Sequence, residues 1–400
     1  MHKLRRLLVP LLALGALVWV VLWLMSKREV QFRLGPGLEL VASDGVDGFL
    51  VREAEGAWRL YDARSRSPQD GVAINGVAGR PALAADGGAF ALQGEELLRV
   101  PRVGSDVAPL RVPVRAGVML LGVAGGDQAV LAAPDENGVR ELLVLADGTG
   151  NDGDGGPHLL PLHDAAGPAR LPAGASADDV VCAGAGPAVA VRTPLGWEAW
   201  RWDESGSARR ELAEGCTRAG ALFRPDGRAL IVPGKVDGLW TLSLADGQMG
   251  LMAEGNLGTS RRVPPSAAFR DTDQNTRLVA PGWNLDGWLQ IYQTHLFGGG
   301  RWGVQIAFTH HYGVAVSQDG RFLAYCQAQF DEQGSEPFDE QLYVMDFEEA
   351  VGTVSVGSRR GGVPWQGPHF VGSGASLVYL ADGEVLRIEL LPPASGAKEH

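Results

Sequence analysis

Cysteine and helical periodicity are both scarce in this chain of 400 residues. The three cysteines, Cys182, Cys216 and Cys326, match no zinc-ligand spacing and no CxxC motif. They are interpreted as small buried hydrophobic residues, with a Cys182–Cys216 disulfide as the alternative in an oxidising compartment. After residue 28, no long stretch has the 3.6-residue apolar period of an amphipathic helix. The main body is therefore expected to be built from strands.

Basic charge is also scarce in the main body. Of the 35 basic residues, five lie within residues 1–28, where there is no acidic residue. The rest of the chain holds 30 basic and 47 acidic residues, a net charge of −17. A body this acidic repels phosphate backbones, so nucleic-acid binding is not expected.

The N-terminal segment contains one long apolar run. Residues 7–25 read LLVPLLALGALVWVVLWLM, 19 residues without a charge, which is about 28 Å of helix and close to the thickness of a hydrocarbon core. No small-x-small cleavage site follows, so an uncleaved transmembrane anchor is favoured over a removed signal peptide. The basic residues before the run predict a cytoplasmic N-terminus, with the main body on the periplasmic or extracytoplasmic side of an inner (plasma) membrane.

One sequence unit recurs along the main body: an apolar run, an Asp-Gly-type turn and a second apolar run. Clear copies lie at 82–92, 222–232 and 314–325, and five looser copies lie elsewhere. Asp-Gly supplies the positive φ that a tight hairpin requires. A third strand, usually ending in Asp, follows the hairpin, and successive units are about 43 to 56 residues long, which is typical of four-stranded propeller blades.

The repeat predicts an all-β fold, a β-propeller of four-stranded antiparallel blades over residues 29–392. Eight blades is the favoured count and seven is the alternative. The last unit has only three strands, and residues 29–35 are predicted to supply its fourth, which closes the ring and removes an open sheet edge. Residues 1–28 form the cytoplasmic tip and transmembrane helix, and residues 393–400 form a flexible tail.

Two of the hairpins resemble known repeats. FRPDGRALIV (223–232) and VSQDGRFLAY (316–325) are similar to the repeats of TolB-type and WD-repeat propellers, in which an apolar or aromatic residue, x-x-Asp-Gly and an apolar strand mark the inner hairpin. Trp202-Asp203 ends a third strand, where WD-repeat proteins place that dipeptide, although their Gly-His element is absent here. The resemblance implies a propeller fold and the binding of other molecules, and it implies no particular activity.

Few residues have the pattern of a catalytic or metal site. There is no Gly-x-Ser-x-Gly elbow and no regular tryptophan-docking motif of the quinoprotein type, so no cofactor is predicted. Asp147, Asn151, Asp152 and Asp154 are weak candidate ligands for Ca²⁺ between a third and a fourth strand. Their spacing departs from the EF-hand pattern, and a solvated turn is the alternative.

Several unusual loops fall on one face of the predicted disc. They belong to blades 6 and 7 and to the links between blades 5, 6 and 7. The candidate partner-binding residues in them are Arg261, Arg262, Trp283, Asp286, Trp288, His310, His311, Asp331, Glu332 and Glu336. Exposed tryptophan beside arginine and carboxylate is the mixture enriched at protein interfaces. The alternative interpretation packs Trp283 and Trp288 between blades and leaves the acidic loop solvated.

These features favour a membrane-tethered propeller that acts as a protein-binding or scaffold module in the cell envelope, or as an accessory subunit of a membrane complex. The expected partners are membrane or envelope proteins, together with the lipid bilayer through residues 7–25. The alternative is a propeller enzyme of the lyase, lactonase or cyclotransferase type, with a site at the mouth of the central channel. The inner strands, such as residues 117–124, are mostly apolar, which makes an enzyme the less favoured interpretation.

Overall fold

A computed structural model describes residues 29–390 of the chain, with internal gaps. The gaps are residues 44–45, 126, 147–156, 218–219, 235–237, 255–266, 271–275, 281–287, 296–297, 306–309, 319, 331–336, 347–353, 360–365 and 373–375. The predicted anchor at 7–25 and the predicted tail at 393–400 lie outside the described residues. Within the described ranges, no helix has the length and apolar character that crossing a membrane requires.

Strands make up nearly all of the regular structure. The first sheets contain β1 (Glu29–Pro36), β2 (Glu39–Ala42), β3 (Gly48–Arg52), β4 (Trp58–Asp62), β5 (Val72–Ile74), β6 (Ala82–Leu83), β7 (Ala89–Gln93), β8 (Glu96–Val100), β9 (Leu110–Pro113), β10 (Met119–Ala124), β11 (Gln128–Pro134), β12 (Arg140–Ala146) and β13 (His158–Pro161). Next come β14 (His163–Asp164), β15 (Gly167–Pro168), β16 (Val180–Cys182), β17 (Ala188–Thr193), β18 (Gly196–Trp202), β19 (Ala208–Glu214), β20 (Leu222–Phe223), β21 (Ala229–Pro233), β22 (Gly238–Ser243) and β23 (Met249–Glu254). The last are β24 (Ala267–Arg270), β25 (Thr276–Ala280), β26 (Trp288–His295), β27 (Gly298–Gln305), β28 (His310–Val316), β29 (Phe322–Phe330), β30 (Pro337–Asp346), β31 (Val354–Arg359), β32 (Gln366–Val371), β33 (Ser376–Ala381) and β34 (Glu384–Leu390). Two 3-10 helices, Pro68–Asp70 and Ala177–Asp179, lie between strands.

The described strands form eight four-stranded antiparallel sheets and one two-stranded hairpin. Sheets 1 to 3 are β2–β5, β6–β9 and β10–β13; sheets 4 to 7 are β16–β19, β20–β23, β24–β27 and β28–β31; sheet 8 has the order β1-β34-β33-β32. The hairpin pairs β14 with β15 between sheets 3 and 4.

The sheets are joined in one closed ring. The first strand of each sheet contacts the first strand of the next, from β2 and β6 through to β28 and β32, and β32 in turn contacts β2. The apolar cores lie between neighbouring sheets. Trp200 and Trp202 of sheet 4, for example, pack against Leu142 and Val144 of sheet 3. The predicted all-β propeller of four-stranded antiparallel blades is therefore confirmed.

Both ends of the described chain meet in sheet 8. β1 pairs antiparallel with β34, with Glu29 opposite Leu390 and Pro36 opposite Glu384. The first described strand is therefore the outermost strand of the last sheet.

Side chains connect sheet 8 to sheet 1. The Gln366 side-chain amide accepts a hydrogen bond from the Leu40 N–H at 2.9 Å and donates one to the Leu38 carbonyl at 3.1 Å. Arg387, which is 2% exposed, donates to the Ala63 carbonyl and to the Ser376 hydroxyl. Its burial lowers the pKa of the Arg387 guanidinium.

The ring has two distinct faces because successive strands alternate in direction. The loops between second and third strands and the links between sheets lie on one face, which we call the link face. The turns between first and second strands and between third and fourth strands lie on the other, which we call the turn face. Glu29 and Leu390, at the open ends of β1 and β34, lie on the turn face.

The Asp-Gly turns have the predicted backbone and also touch one another. Gly87, Gly227 and Gly320 have φ of +84°, +67° and +73°. A Cβ on Gly227 would lie 1.7 Å from the carbonyl oxygen of Ala185, in the corresponding turn of sheet 4. At this position glycine is required both by the turn and by the close approach of two backbones.

None of the three cysteines, Cys182, Cys216 and Cys326, forms a disulfide. Cys182 packs beside Gly122, where a Cβ would lie 2.7 Å from its sulfur. Burial raises the pKa of the Cys182 thiol to about 12, so this thiol stays protonated and unreactive at neutral pH.

The contact at Gly227 predicts an unusually costly alanine substitution. Gly138 also has a positive φ, +78°, but a Cβ there would meet nothing within 4 Å. We expect Gly138→Ala to lower the free energy of unfolding by about 1–2 kcal/mol, the cost of a left-handed conformation. Gly227→Ala adds a backbone clash and should cost roughly 1–3 kcal/mol more. Urea denaturation followed by tryptophan fluorescence measures both, and equal losses would contradict the packing of the inner turns.

Candidate functional site

Three of the ten candidate partner-binding residues lie in the described part of the chain. Trp288 is the first residue of β26 and pairs with Gln305. His310 and His311 are the first residues of β28, and His310 pairs with Ala328. The sequence analysis placed all three residues in loops. That placement was wrong, because the structure has all three in strands.

The other candidates lie outside the described residues. They are Arg261, Arg262, Trp283, Asp286, Asp331, Glu332 and Glu336, together with the Ca²⁺ candidates Asp147, Asn151, Asp152 and Asp154. The flanking strands still fix where these segments begin and end. Residues 281–287 and 331–336 join second to third strands, and residues 255–266 join sheet 5 to sheet 6. The ends of all three segments therefore lie on the link face, together with Trp288 and His310.

Several conspicuous polar residues have structural contacts. The Trp202 indole donates to the Gln128 side chain of sheet 3 at 3.2 Å. Asp203 accepts hydrogen bonds from the Ser205 hydroxyl and N–H, and these bonds lower the pKa of the Asp203 carboxyl. The Trp-Asp dipeptide thus joins two sheets and stabilises a turn.

His369 is a titratable group with a shifted pKa in the described ranges. Burial, with a contribution from Arg80, lowers the pKa of His369 on β32 to about 4, so His369 is neutral at neutral pH. Within the same ranges, no three His, Cys, Asp or Glu side chains are grouped closely enough to hold a metal ion.

A hairpin interrupts the outer strand of sheet 3. The outer strand β13 ends at Pro161, where the chain leaves the sheet. Leu162 donates to the Leu142 carbonyl, and Ala169 accepts from the Leu142 N–H. Residues 163–168 therefore leave the sheet and return to it at the same position of β12. They reach sheet 4, where the His163 N–H donates to the Gly206 carbonyl at 3.2 Å.

The hairpin borders an open cavity of about 480 Å³ against sheet 4, which we call the hairpin cavity. The wall on the side of sheet 3 is formed by Asp164, Pro168 and Arg170. The wall on the side of sheet 4 is formed by Leu195, Glu198, Trp200 and Arg210. The volume lies in the range of pockets that bind small ligands or single side chains. The cavity has both apolar walls and charged groups of both signs.

The loop that carries Leu195 is held rigidly. The Thr193 hydroxyl accepts hydrogen bonds from the N–H groups of Leu195 and Gly196, and donates to the Gly196 carbonyl at 2.8 Å. Leu195 itself is 64% exposed. Because this loop joins β17 to β18, a large apolar side chain is presented to solvent on the link face.

Trp200 forms the floor of the hairpin cavity. It is 3% exposed, and its indole N–H has no hydrogen-bond acceptor among the residues that the structure describes. The guanidinium of Arg210 lies 5.7 Å from the centroid of the Trp200 ring and 3.8 Å from the Glu198 carboxylate. An unpaired buried donor costs about 1–3 kcal/mol, so this floor is less stable than a fully hydrogen-bonded one.

Sequence reasoning missed the hairpin cavity. The segment PLHDAAGPARLP at 161–172 is rich in proline and contains an Asp and a Gly at turn positions. These are signals of a turn rather than of a continuous strand. They predict a hairpin, but they do not predict which sheet it contacts.

Comparison with solved structures shows the fold. The chain is similar to the WD40 domain of SCAP from fission yeast, with a TM-score of 0.55 and 10% identity, covering 92% of this chain and 99% of that one. It is also similar to the dihydro-heme d1 dehydrogenase NirN in complex with DHE, with a TM-score of 0.52 and 14% identity, covering 92% of this chain and 79% of that one. No family model matches the chain, and no curated protein matches it. At these identities the likeness establishes a propeller and no activity.

The same substitution at the two tryptophans of this interface is expected to lower the free energy of unfolding by different amounts. Trp200 and Trp202 are 3% and 4% exposed, but only Trp202 has an acceptor for its N–H. Trp202→Phe leaves the Gln128 amide unpaired, whereas Trp200→Phe removes a donor that is already unpaired. We expect Trp202→Phe to lose about 1 kcal/mol more of the free energy of unfolding than Trp200→Phe. Urea denaturation of the matched pair measures the difference, and a larger loss for Trp200→Phe would show that its N–H is bonded.

Proposed function

We propose that this propeller is a protein-binding or scaffold module of the cell envelope, tethered to the inner (plasma) membrane by residues 7–25. Eight four-stranded sheets in a closed ring support a count of eight blades. The body is proposed to lie on the extracytoplasmic side, where membrane or envelope proteins are its partners. The support for the tether is the uncharged run of 19 residues and the basic residues before it.

The observation that carries the protein-binding proposal is the character of the link face. The strand order brings to it the ends of segments 255–266, 281–287 and 331–336, which are among the longest connections of sheets 5 to 7 on that face. The exposed Leu195, which also lines the hairpin cavity, is added from sheet 4. Long loops on a rigid scaffold are where binding residues concentrate. The similarity to a WD40 domain is a similarity of fold and is consistent with this use.

The tether is tested by extraction of the membrane fraction. We expect the full chain to remain in the pellet after alkaline carbonate washing, because 19 uncharged residues span the hydrocarbon core. A variant that lacks residues 1–28 retains β1 and the whole ring, and should move to the supernatant. Release of the full chain by carbonate would remove the membrane tether from the proposal.

The link face is tested with two matched exposed side chains. Leu195 is 64% exposed on the link face, and Val107 is 68% exposed in the loop between β8 and β9 on the turn face. We expect Leu195→Glu to lose a partner that co-purifies with the full chain in mild detergent, and Val107→Glu to keep it. Exposed substitutions of this kind change stability by about 0.5 kcal/mol or less, so a loss reports on binding.

A further variant tests the predicted tryptophan loop. The double variant Trp283→Ala, Trp288→Ala should weaken retention of the same partner, as measured by quantitative mass spectrometry of the purified complex. A partner lost only by Val107→Glu would move the interface to the turn face. Absence of any stoichiometric partner for the wild-type chain would contradict the scaffold function itself.

A further inference from the structure

The outer edge of β19 lies open beside the hairpin cavity. β19 is the last strand of sheet 4. In the described part of the chain, one backbone bridge reaches this edge, the parallel bridge between His163 and Ser207 just before the strand begins. The edge continues for the seven residues of β19, and half of the backbone groups of an edge strand point outward. The hairpin thus occupies only the first position of an available sheet edge.

The charged side chains beside this edge differ in whether they form ion pairs. Arg170 is exposed, and none of the ion pairs among the described residues includes it. Arg210 is 3.8 Å from Glu198, the longest of these ion pairs. Asp164 accepts a hydrogen bond from the Ala166 N–H at 2.8 Å and so stabilises its own turn. The cavity therefore offers a guanidinium that lacks a carboxylate, and a carboxylate is the group it binds best.

We propose that the edge of β19 binds an extended peptide segment of the protein partner as an added strand. One apolar side chain of that segment occupies the hairpin cavity against Leu195, and an acidic side chain two positions away, on the same face of the added strand, pairs with Arg170. Main-chain hydrogen bonds supply affinity in this mode of recognition, and the pockets for side chains supply specificity. The inference rests on the proposed protein-binding function, because it names the part of the partner that is bound.

The composition of β19 limits which peptides can pair with its edge. Arg209, Arg210 and Glu211 are charged residues in its centre, and charges on an edge strand oppose indiscriminate pairing with other chains. Only a peptide with a complementary pattern gains both the backbone bonds and the ion pair. The rigid Thr193–Leu195 loop keeps the cavity preformed, which lowers the entropic cost of binding.

The test is a titration of the full-length protein in detergent with fluorescein-labelled heptapeptides, followed by fluorescence anisotropy. The probe is SDVLSTS, whose acidic and apolar side chains are two positions apart and therefore lie on the same face of a strand. Two controls are SKVLSTS, which reverses the charge, and SDVLSTS N-methylated at alternate residues, which blocks strand pairing. We expect saturable binding of the probe and at least tenfold weaker binding of both controls.

Protein variants identify the site. Arg170→Glu should weaken binding of the probe at least tenfold. Arg115→Glu, an exposed arginine in the link between sheets 2 and 3, should leave binding unchanged. The inference is overturned by the absence of saturable binding up to about 1 mM, by equal losses in the two arginine variants, or by undiminished binding of the N-methylated peptide.

The experiments distinguish failure of peptide binding at β19 from failure of the proposed scaffold function. In one outcome, a partner co-purifies equally with Arg170→Glu and with the wild-type chain, and the peptides do not bind. The scaffold function would then stand, and the edge of β19 would not be its binding site. Absence of any partner for the wild-type chain would remove the scaffold function, while the peptide titration still decides whether the edge binds peptides.

Discussion

A four-stranded sheet with two apolar faces has to cover both of them, and this requirement determines most of the architecture. Sheet 4 buries Trp200 and Trp202 against sheet 3 on one side and Trp197 against residues of sheet 5 on the other. No open row of such sheets satisfies its end members, because each end leaves one apolar face in water. A ring satisfies all of them, and its closure depends on the pairing of β1 with β34. Gln366 on β32 and Arg387 on β34 add directional bonds between sheet 8 and sheet 1.

The hairpin between sheets 3 and 4 is an addition that ring closure does not require. The described links at residues 75–81 and 114–118 contain no strand, whereas here residues 163–168 leave β12 and return to it as a hairpin. Leu162 and Ala169 are buried at the base of the hairpin, within the core shared by the two sheets. The insertion therefore rests on the core of the ring, and it displaces no strand of either sheet. It is a modification of the scaffold that creates a cavity without weakening closure.

The fold was predictable from the sequence because its signals are local. Asp-Gly at positions such as Gly87 and Gly227 dictates a hairpin whatever surrounds it, and repetition of that hairpin predicts the propeller. The candidate site was much less predictable. Trp288 and His310 are backbone-paired strand residues, and their neighbours in sequence gave no sign of where the strands begin. The hairpin cavity is lined by residues far apart in the sequence, such as Asp164 and Arg210, and no local pattern encodes that arrangement.

The position of the two chain ends in sheet 8 has a mechanical consequence. Glu29 and Leu390 lie side by side on the turn face, and the hydrogen bonds between β1 and β34 are perpendicular to the strands. A pull on Glu29 that is resisted at the link face acts along the strand and loads these bonds together, in shear. A pull that separates Glu29 from Leu390 acts across the strands and loads the bonds one after another, so the ring peels open from the turn face. The same junction is therefore strong against tension through the body of the ring and weak against forces that draw its two ends apart.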